Sequence, residues 1–329
     1  MKVLLTGGAG FIGSHVAEQL VSHGYEVVMI DSLVSGSTKS VPHGIRLYNL
    51  DINDCEVESV FKIENPDIVI HLAAQTSVTH SMRDPYFDFQ TNTSATVKLL
   101  QYTARYNVKQ FVFASSAAVY GDAIQLPIDE QHPINPQSFY AVSKYTAEQY
   151  IQTFARVYGF TSTILRFSNV FGPRQNPTGE AGVIGIFISN LLKKEQCVLY
   201  GGSQTRDFIY VKDVAIACRK AVESNIAGIF HVSSNTETPI SDLHTFISKK
   251  VNIDLPIITK PIRSGELLRS NLSNKRTQLK LAWVPIYSLS EGLDETIDYF
   301  IEDLSQSMEG RNDGAHSNQN SRTVIHSQA

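Results

Sequence analysis

The sequence predicts an α/β fold: a doubly wound parallel sheet followed by a smaller carboxyl-terminal α/β domain. Three observations predict it. The first half alternates short apolar runs with amphipathic stretches, the pattern of a parallel sheet covered on both faces. A glycine turn, Gly7-Gly-Ala-Gly10-Phe-Ile-Gly13, falls between the first strand candidate and the first helix candidate. From Gly172 the texture changes to glycine- and proline-rich chain. The strands are expected at Val3–Thr6, Glu26–Ile30, Ile45–Leu50, Asp67–Leu72, Gln110–Ser115 and Thr161–Phe167, each apolar enough to be buried. Apolar residues recurring at helical spacing predict helices at Ser14–His23, Asp88–Tyr106 and Phe139–Tyr158. The run Gly172-Pro-Arg-Gln-Asn-Pro-Thr-Gly-Glu-Ala-Gly182 reads as a long loop of the kind that carries function, and a helix over Val183–Lys194 follows it.

Residues 1–171 are therefore expected to form the first domain, and 172–304 most of the second, with an interleaved boundary. Residues 305–329 are polar with almost no apolar side chains, which predicts a disordered tail. A chain of 329 residues, 42% hydrophobic and 18% charged, buries a sizeable core. Its net charge of −4 gives no electrostatic case for nucleic acid or an anionic membrane, so an anionic ligand must be held by local groups. No apolar run reaches the roughly 18 residues of a membrane span, and the amino terminus enters a strand directly, with no signal peptide. Cys55, Cys197 and Cys218 are odd in number and widely spaced, suggesting neither a disulfide framework nor a metal site. A cytoplasmic location is expected.

The glycine turn carries the first chemistry. Glycines let the backbone turn with positive φ and bring N–H groups against a pyrophosphate at a helix amino terminus. Gly7, Gly10, Phe11, Ile12 and Gly13 are thus expected to contact a dinucleotide in a Rossmann-type domain. Asp31 closes the second strand, where a carboxylate accepts from the adenosine ribose hydroxyls and repels a 2′-phosphate, favouring NAD over NADP. Asp51 and Ile52, after the third strand, are candidates to bracket the adenine. In His71-Leu72-Ala73-Ala74-Gln75 the small residues allow a nicotinamide-ribose close to the backbone, whereas His71 itself reads as a packed histidine.

The second constellation is Tyr140-Ala-Val-Ser-Lys144 with Ser116. Positions i and i+4 share a helix face, so Tyr140 and Lys144 reach one site. An ammonium beside a phenol lowers the phenol's pKa from about 10 toward the range of a working base. Ser116 is placed to hydrogen-bond a substrate hydroxyl and share its proton with Tyr140. Asn92 is expected to be a structural hydrogen-bonder.

Together Thr6-Gly-Gly-Ala-Gly-Phe-Ile-Gly-Ser14, His71-Leu-Ala-Ala74, Ser116-Ala-Ala-Val-Tyr-Gly121 and Tyr140-x-x-x-Lys144 resemble the extended short-chain dehydrogenase/reductases, the NAD-dependent epimerase/dehydratase family. The resemblance runs from about Met1 to Phe300 and leaves the tail unmatched. Through the Gly172–Val183 loop it is most similar to the short bacterial and archaeal UDP-glucose 4-epimerases. It implies tightly held NAD and a UDP-sugar substrate. Tyr140 would be the base toward the 4-hydroxyl, Lys144 its partner and ribose ligand, and Ser116 the proton-sharing hydroxyl. Asn169, Arg206 in Arg206-Asp-Phe-Ile-Tyr210 and Arg263 in Arg263-Ser-Gly-Glu266 would hold the nucleotide sugar; the guanidinium fork suits paired phosphate oxygens.

Two departures bear on specificity. Dehydratases of the family carry acids where this chain has Ala117 and Ala118, so 4,6-dehydration is disfavoured. A neutral Asn176 stands where related uronate epimerases have a basic residue, favouring a neutral hexose. Ser270 occupies a gate position where a bulky aromatic excludes N-acetyl sugars, so some use of UDP-N-acetylglucosamine is expected. The alternatives are therefore a UDP-N-acetylglucosamine 4-epimerase, another nucleotide-sugar epimerase or decarboxylase, a net oxidoreductase, or an NAD-sensing regulator without turnover. The surviving Ser116, Tyr140 and Lys144 disfavour the regulator. The resemblance further implies a homodimer through a four-helix interface of Asp88–Tyr106 and Phe139–Tyr158.

Overall fold

The computed structural model describes residues 1–177, 182–262 and 267–317, with side chains to Ser305. Its strands are β1 (Lys2–Thr6), β2 (Glu26–Asp31), β3 (Arg46–Asn49), β4 (Ile68–His71), β5 (Gln110–Ser116), β6 (Thr161–Phe167), β7 (Asn169–Phe171), β8 (Val198–Tyr200), β9 (Thr205–Tyr210), β10 (Gly228–Val232), β11 (Glu237–Pro239) and β12 (Ile258–Lys260). The helices are α1 (Phe11–Ser22), α2 (Val57–Glu64), α3 (Val78–Arg83), α4 (Pro85–Phe89), α5 (Ala95–Arg105), α6 (Phe139–Tyr158), α7 (Val183–Leu192), α8 (Val211–Ser224), α9 (Ile240–Val251), α10 (Lys275–Leu281) and α11 (Leu289–Ser317).

Seven strands form one parallel sheet in the order β10-β6-β5-β4-β1-β2-β3. Alternation along β1 explains the two-sided core. Val3 and Leu5 point to the face covered by α1 and α8, among Val16, Leu20, Val214 and Cys218. Leu4 points to the other, among Val57 and Phe61 of α2, Leu99 of α5 and Ile151 of α6. Burying a Val or Leu side chain in this way stabilises by about 1.5–3 kcal/mol, and β1 and β4 do so on both faces. The smaller part has a mixed sheet β11-β9-β7 and a strand pair β12-β8. Phe171, Phe187, Leu191, Phe208, Leu243 and Ile297 make its own core. α8 and β10 come after Gly172 in the chain yet cover and extend the central sheet, so the two parts interleave.

Most elements lie within a few residues of expectation; three differ. α1 starts at Phe11, because Gly10 accepts from Ser14 N and already serves as its first carbonyl. The helix expected over Asp88–Tyr106 is broken into α4, a π-helical turn at Gln90–Ser94, and α5. Such a wider turn inserts a residue into the helical ladder and commonly serves a site. The tail expected to be disordered from Ser305 begins instead inside α11, which continues as helical backbone to Ser317; helix propagates readily once its earlier turns, here with Leu293, Ile297 and Phe300, are anchored in a core. Residues 318–329 of that tail lie outside the described residues. Among the described residues no helix is long and apolar enough to cross a membrane.

Candidate active site

The order β3-β2-β1-β4-β5-β6 reverses direction between β1 and β4, and a crevice at such a switch point is where ligands bind. The glycine turn stands there at the carboxyl end of β1. Gly7 has φ +70°, and a Cβ on it would meet Ala73 N at 2.7 Å. A Cβ on Gly13 would sit 2.0 Å from Gly7 O. Gly10 is looser, its nearest neighbour being Gly7 O at 3.2 Å. These gaps keep the turn tight and leave a backbone cradle at the start of α1, which fits a pyrophosphate. Phe11 and Ile12 point down into the packed interior.

Asp31 ends β2 beside that cradle. Its Oδ2 accepts from Ala9 N at 2.9 Å and Oδ1 from Leu33 N at 2.8 Å, so the carboxylate is pinned to the turn with lone pairs left for ribose hydroxyls. Asp51 is exposed and its Oδ1 accepts from Asn53 N, capping its own turn. Ile52 is buried with Val28 and Ile30. The structure thus gathers Gly7, Gly10, Gly13 and Asp31 tightly, and Asp51 and Ile52 only at the margin.

Leu72, Ala73, Ala74 and Gln75 leave β4 half-buried across from the glycines. His71 is packed, as expected. Thr96 Oγ1 donates to Asn92 O at 2.6 Å, so it accepts from His71 Nε2–H; the bare Nδ1 then accepts from Thr6 Oγ1 at 2.7 Å. Burial pulls this imidazole down to about 3, keeping it neutral. The π-turn explains Asn92. Its side chain faces Gln75, accepting from Gln75 N and donating to Gln75 O, both at 2.9 Å, and it donates to Ser143 Oγ of α6 at 3.3 Å.

α6 presents the candidate catalytic side chains, Tyr140 and Lys144. Ser138 Oγ caps its start by accepting from Ala141 N, and Gly159, with φ +79°, ends it. Lys144 is 3% exposed; its Nζ donates to Ala114 O at 3.0 Å, lies 4.9 Å from the Phe113 ring centre and 6.0 Å from that of Tyr140. Ser116, ending β5, lies by the Tyr140 phenol and favours its ionised form, and its Oγ accepts from Ala118 N at 3.2 Å. The expected lowering of the phenol does not hold in the protein alone. Burial pushes Tyr140 up to about 12, against which the Ser116 hydroxyl works, and burial brings Lys144 down to about 8. Desolvation exceeds the charge effect because the ammonium is engaged by Ala114 and Phe113 rather than by the phenol.

Residues that the motifs did not single out complete the site. Asp88 of α4 is buried; its Oδ1 accepts from Gln75 Nε2 at 2.8 Å and Asn92 Nδ2 at 3.1 Å, while its Oδ2 has no hydrogen-bond partner. Its charge favours protonated Lys144 and disfavours the Tyr140 phenolate. Glu148, one turn beyond Lys144, accepts from Arg166 Nε at 2.9 Å and Nη2 at 2.6 Å, and from Ser115 Oγ. The extension of Tyr-x-x-x-Lys by another four residues to Glu148 was the available signal for it. Asp88 had none beyond lying four residues before Asn92.

Asn169 is exposed at the start of β7, and Arg206 on β9 donates through Nη1 to Thr205 O at 2.8 Å. Ser270 is buried in the segment at 268–274. Arg263 lies outside the described residues. A shallow cavity of about 480 Å³ is lined by Gly201, Ser203, Lys260 and Leu268.

A glycine cradle, a strand-end acid pinned to it and a Ser-Tyr-Lys trio fit an NAD-dependent short-chain fold acting on a hydroxyl, and the chain belongs to the NAD dependent epimerase/dehydratase family, whose model matches residues 3–232. Among solved structures it is similar to the UDP-glucose 4-epimerase of Thermotoga maritima with UDP-glucose, at 38% identity and TM-score 0.89, covering 92% of this chain and 100% of that one. It is similar also to the Thermus thermophilus UDP-glucose 4-epimerase in complex with NAD, at 37% identity and TM-score 0.87, covering 91% and 99%. The UDP-N-acetylglucosamine 4-epimerase of Methanobrevibacter ruminantium, in complex with UDP-N-acetylmuramic acid, matches at 35% identity and TM-score 0.87, covering 92% and 98%.

Proposed function

We propose that the protein is an NAD-dependent UDP-hexose 4-epimerase that interconverts UDP-glucose and UDP-galactose. One observation carries this reading most directly: Ser116 acts on the Tyr140 phenol and favours its ionised form, while residues 117 and 118 are alanine. Tyr140 is then the one acid–base group at the sugar, which suits reversible oxidation at a single carbon and not elimination of water. Gly7, Gly10, Gly13, Asp31, Ala73, Ala74 and Gln75 hold NAD, which supplies a hydride acceptor that gives the hydride back. Tyr140 takes the proton of the 4-hydroxyl and returns it after the sugar has turned over, with Ser116 steadying the oxygen. Lys144 keeps its positive charge beside the phenol and the nicotinamide ribose. Asn169, Arg206 and Arg263 clamp the UDP moiety. In this reading residues 1–171, completed by α8 and β10, hold the cofactor, and the rest up to 304 closes over the sugar nucleotide.

A second reading, use of UDP-N-acetylglucosamine, is supported by the small Ser270 side chain in the wall. NMR of the purified protein incubated separately with UDP-glucose, UDP-N-acetylglucosamine and UDP-glucuronate tests both. The 4-epimer appears from UDP-glucose; product from glucuronate alone would overturn the reading. The pair of proposed dimer helices is supported by exposed apolar side chains: Phe87 and Phe89 on α4, with Phe139, Val142 and Tyr150 on α6. A cytoplasmic location remains part of the proposal.

A further inference from the structure

Behind the catalytic trio runs a buried polar chain whose direction is fixed by its chemistry. Ser273 O is a carbonyl and only accepts, so His231 Nδ1, 2.9 Å away, carries the ring proton. His231 Nε2 is then bare and accepts from the Tyr120 hydroxyl, whose oxygen in turn accepts from Arg166 Nη1 at 2.6 Å. Burial supports these states, pushing the Tyr120 phenol up to about 12 and the His231 imidazole down to about 3. Arg166 is locked to Glu148 on the catalytic helix, and the guanidinium also lies 4.8 Å from the Tyr120 ring centre. Every side chain in the chain is buried: Tyr120 and His231 are 0% exposed, Arg166 2% and Glu148 0%.

The two ends of this chain lie on different elements, α6 and the segment at 268–274. At one end Glu148 follows Tyr140 and Lys144 on one face of α6. At the other, Ser273 belongs to the segment that carries Ser270. Other hydrogen bonds of residues 268–274 go to Ile128, Thr205, Arg206, Asp207, Ser233, Glu237 and Gln278, none of which is on α6 or β5, and Leu272 packs in an apolar cluster with Val119, Tyr120 and Tyr145. We propose that Tyr120 is a positioning residue for sugar selectivity: its hydroxyl, between Arg166 and His231, sets the distance between the catalytic helix and the Ser270 wall. The idea rests on the epimerase reading, in which that wall faces the sugar. A loosened wall changes the room around C2 and C4 of the hexose without touching the cofactor.

The test replaces one hydroxyl, Tyr120→Phe, and cuts the same chain elsewhere with His231→Gln. A Gln side chain still accepts from Tyr120 but no longer reaches the Ser273 carbonyl. For each, the KM for UDP-glucose is compared with the KM of UDP-N-acetylglucosamine or, where it only competes, its Ki. The ratio of the two does not depend on how much protein is folded. Both variants are expected to shift this ratio by about threefold or more in the same direction, with NAD content retained, and the double variant by no more than the larger single. An unchanged ratio in either variant, whether activity survives or falls, overturns the proposal. Wild-type protein with no epimerase activity would instead overturn the functional reading.

Discussion

Replacing Lys144 with methionine tests what the lysine does, and the structure gives the size of the effect. Methionine keeps the length and the apolar stem but removes a positive charge 6.0 Å from the Tyr140 ring centre. At an effective dielectric constant of about 20, two unit charges at that separation interact by about 2.8 kcal/mol, or about two pKa units. Losing the ammonium therefore raises the phenol by about that much. Its phenolate population falls about 100-fold at any pH well below its pKa. The assay is epimerisation of UDP-glucose measured from about pH 6 to 10 at saturating NAD, for wild type and variant. With the phenol at about 12, both proteins sit on the rising limb of kcat/KM across this range, so the deficit is expected to be about 100-fold up to about pH 8 and to shrink above it, where Lys144 itself loses its proton. A deficit of equal size on both sides of about pH 8 would refute the reasoning and leave Lys144 as a ribose ligand only.

Other outcomes follow from the same geometry. Tyr140→Phe should keep NAD and fold normally while kcat falls by about 10²–10⁴, as read in a coupled galactose assay. Gly13→Ala drives a Cβ to 2.0 Å from Gly7 O, so the turn must open; purified protein should lack NAD by absorbance and lose about 1–3 kcal/mol in denaturant unfolding. Asp88→Asn removes a carboxylate that favours protonated Lys144, which burial already brings to about 8. The lysine then loses its proton at lower pH, so the alkaline fall in activity should shift toward neutrality, whereas a shift to higher pH would be the wrong sign.

Much of the site was readable because its chemistry is local in sequence. Gly7, Gly10 and Gly13 belong to one turn, Asp31 ends one strand, and Tyr140 and Lys144 are one helical turn apart. What could not be read is what depends on distant packing. Asp88 and Gln75 come together only because Asn92 turns inward at a π-turn, and hydrophobic spacing alone predicts an unbroken helix there. Likewise Glu148 meets Arg166 only when α6 lies across β6, and the Tyr120–His231 bond needs β10 at the sheet edge. The phenol's pKa was misjudged for a related reason: charge proximity is visible in a sequence, while the burial that opposes it is not.

The central claim is that hydride leaves C4 and returns to C4 within one protein-bound cofactor. UDP-glucose carrying deuterium at C4, given to purified protein without added NAD, tests it directly. The account predicts UDP-galactose with its C4 deuterium fully retained by NMR. Washout of the label into solvent, or product that forms only when NAD is added in turnover amounts, would contradict it.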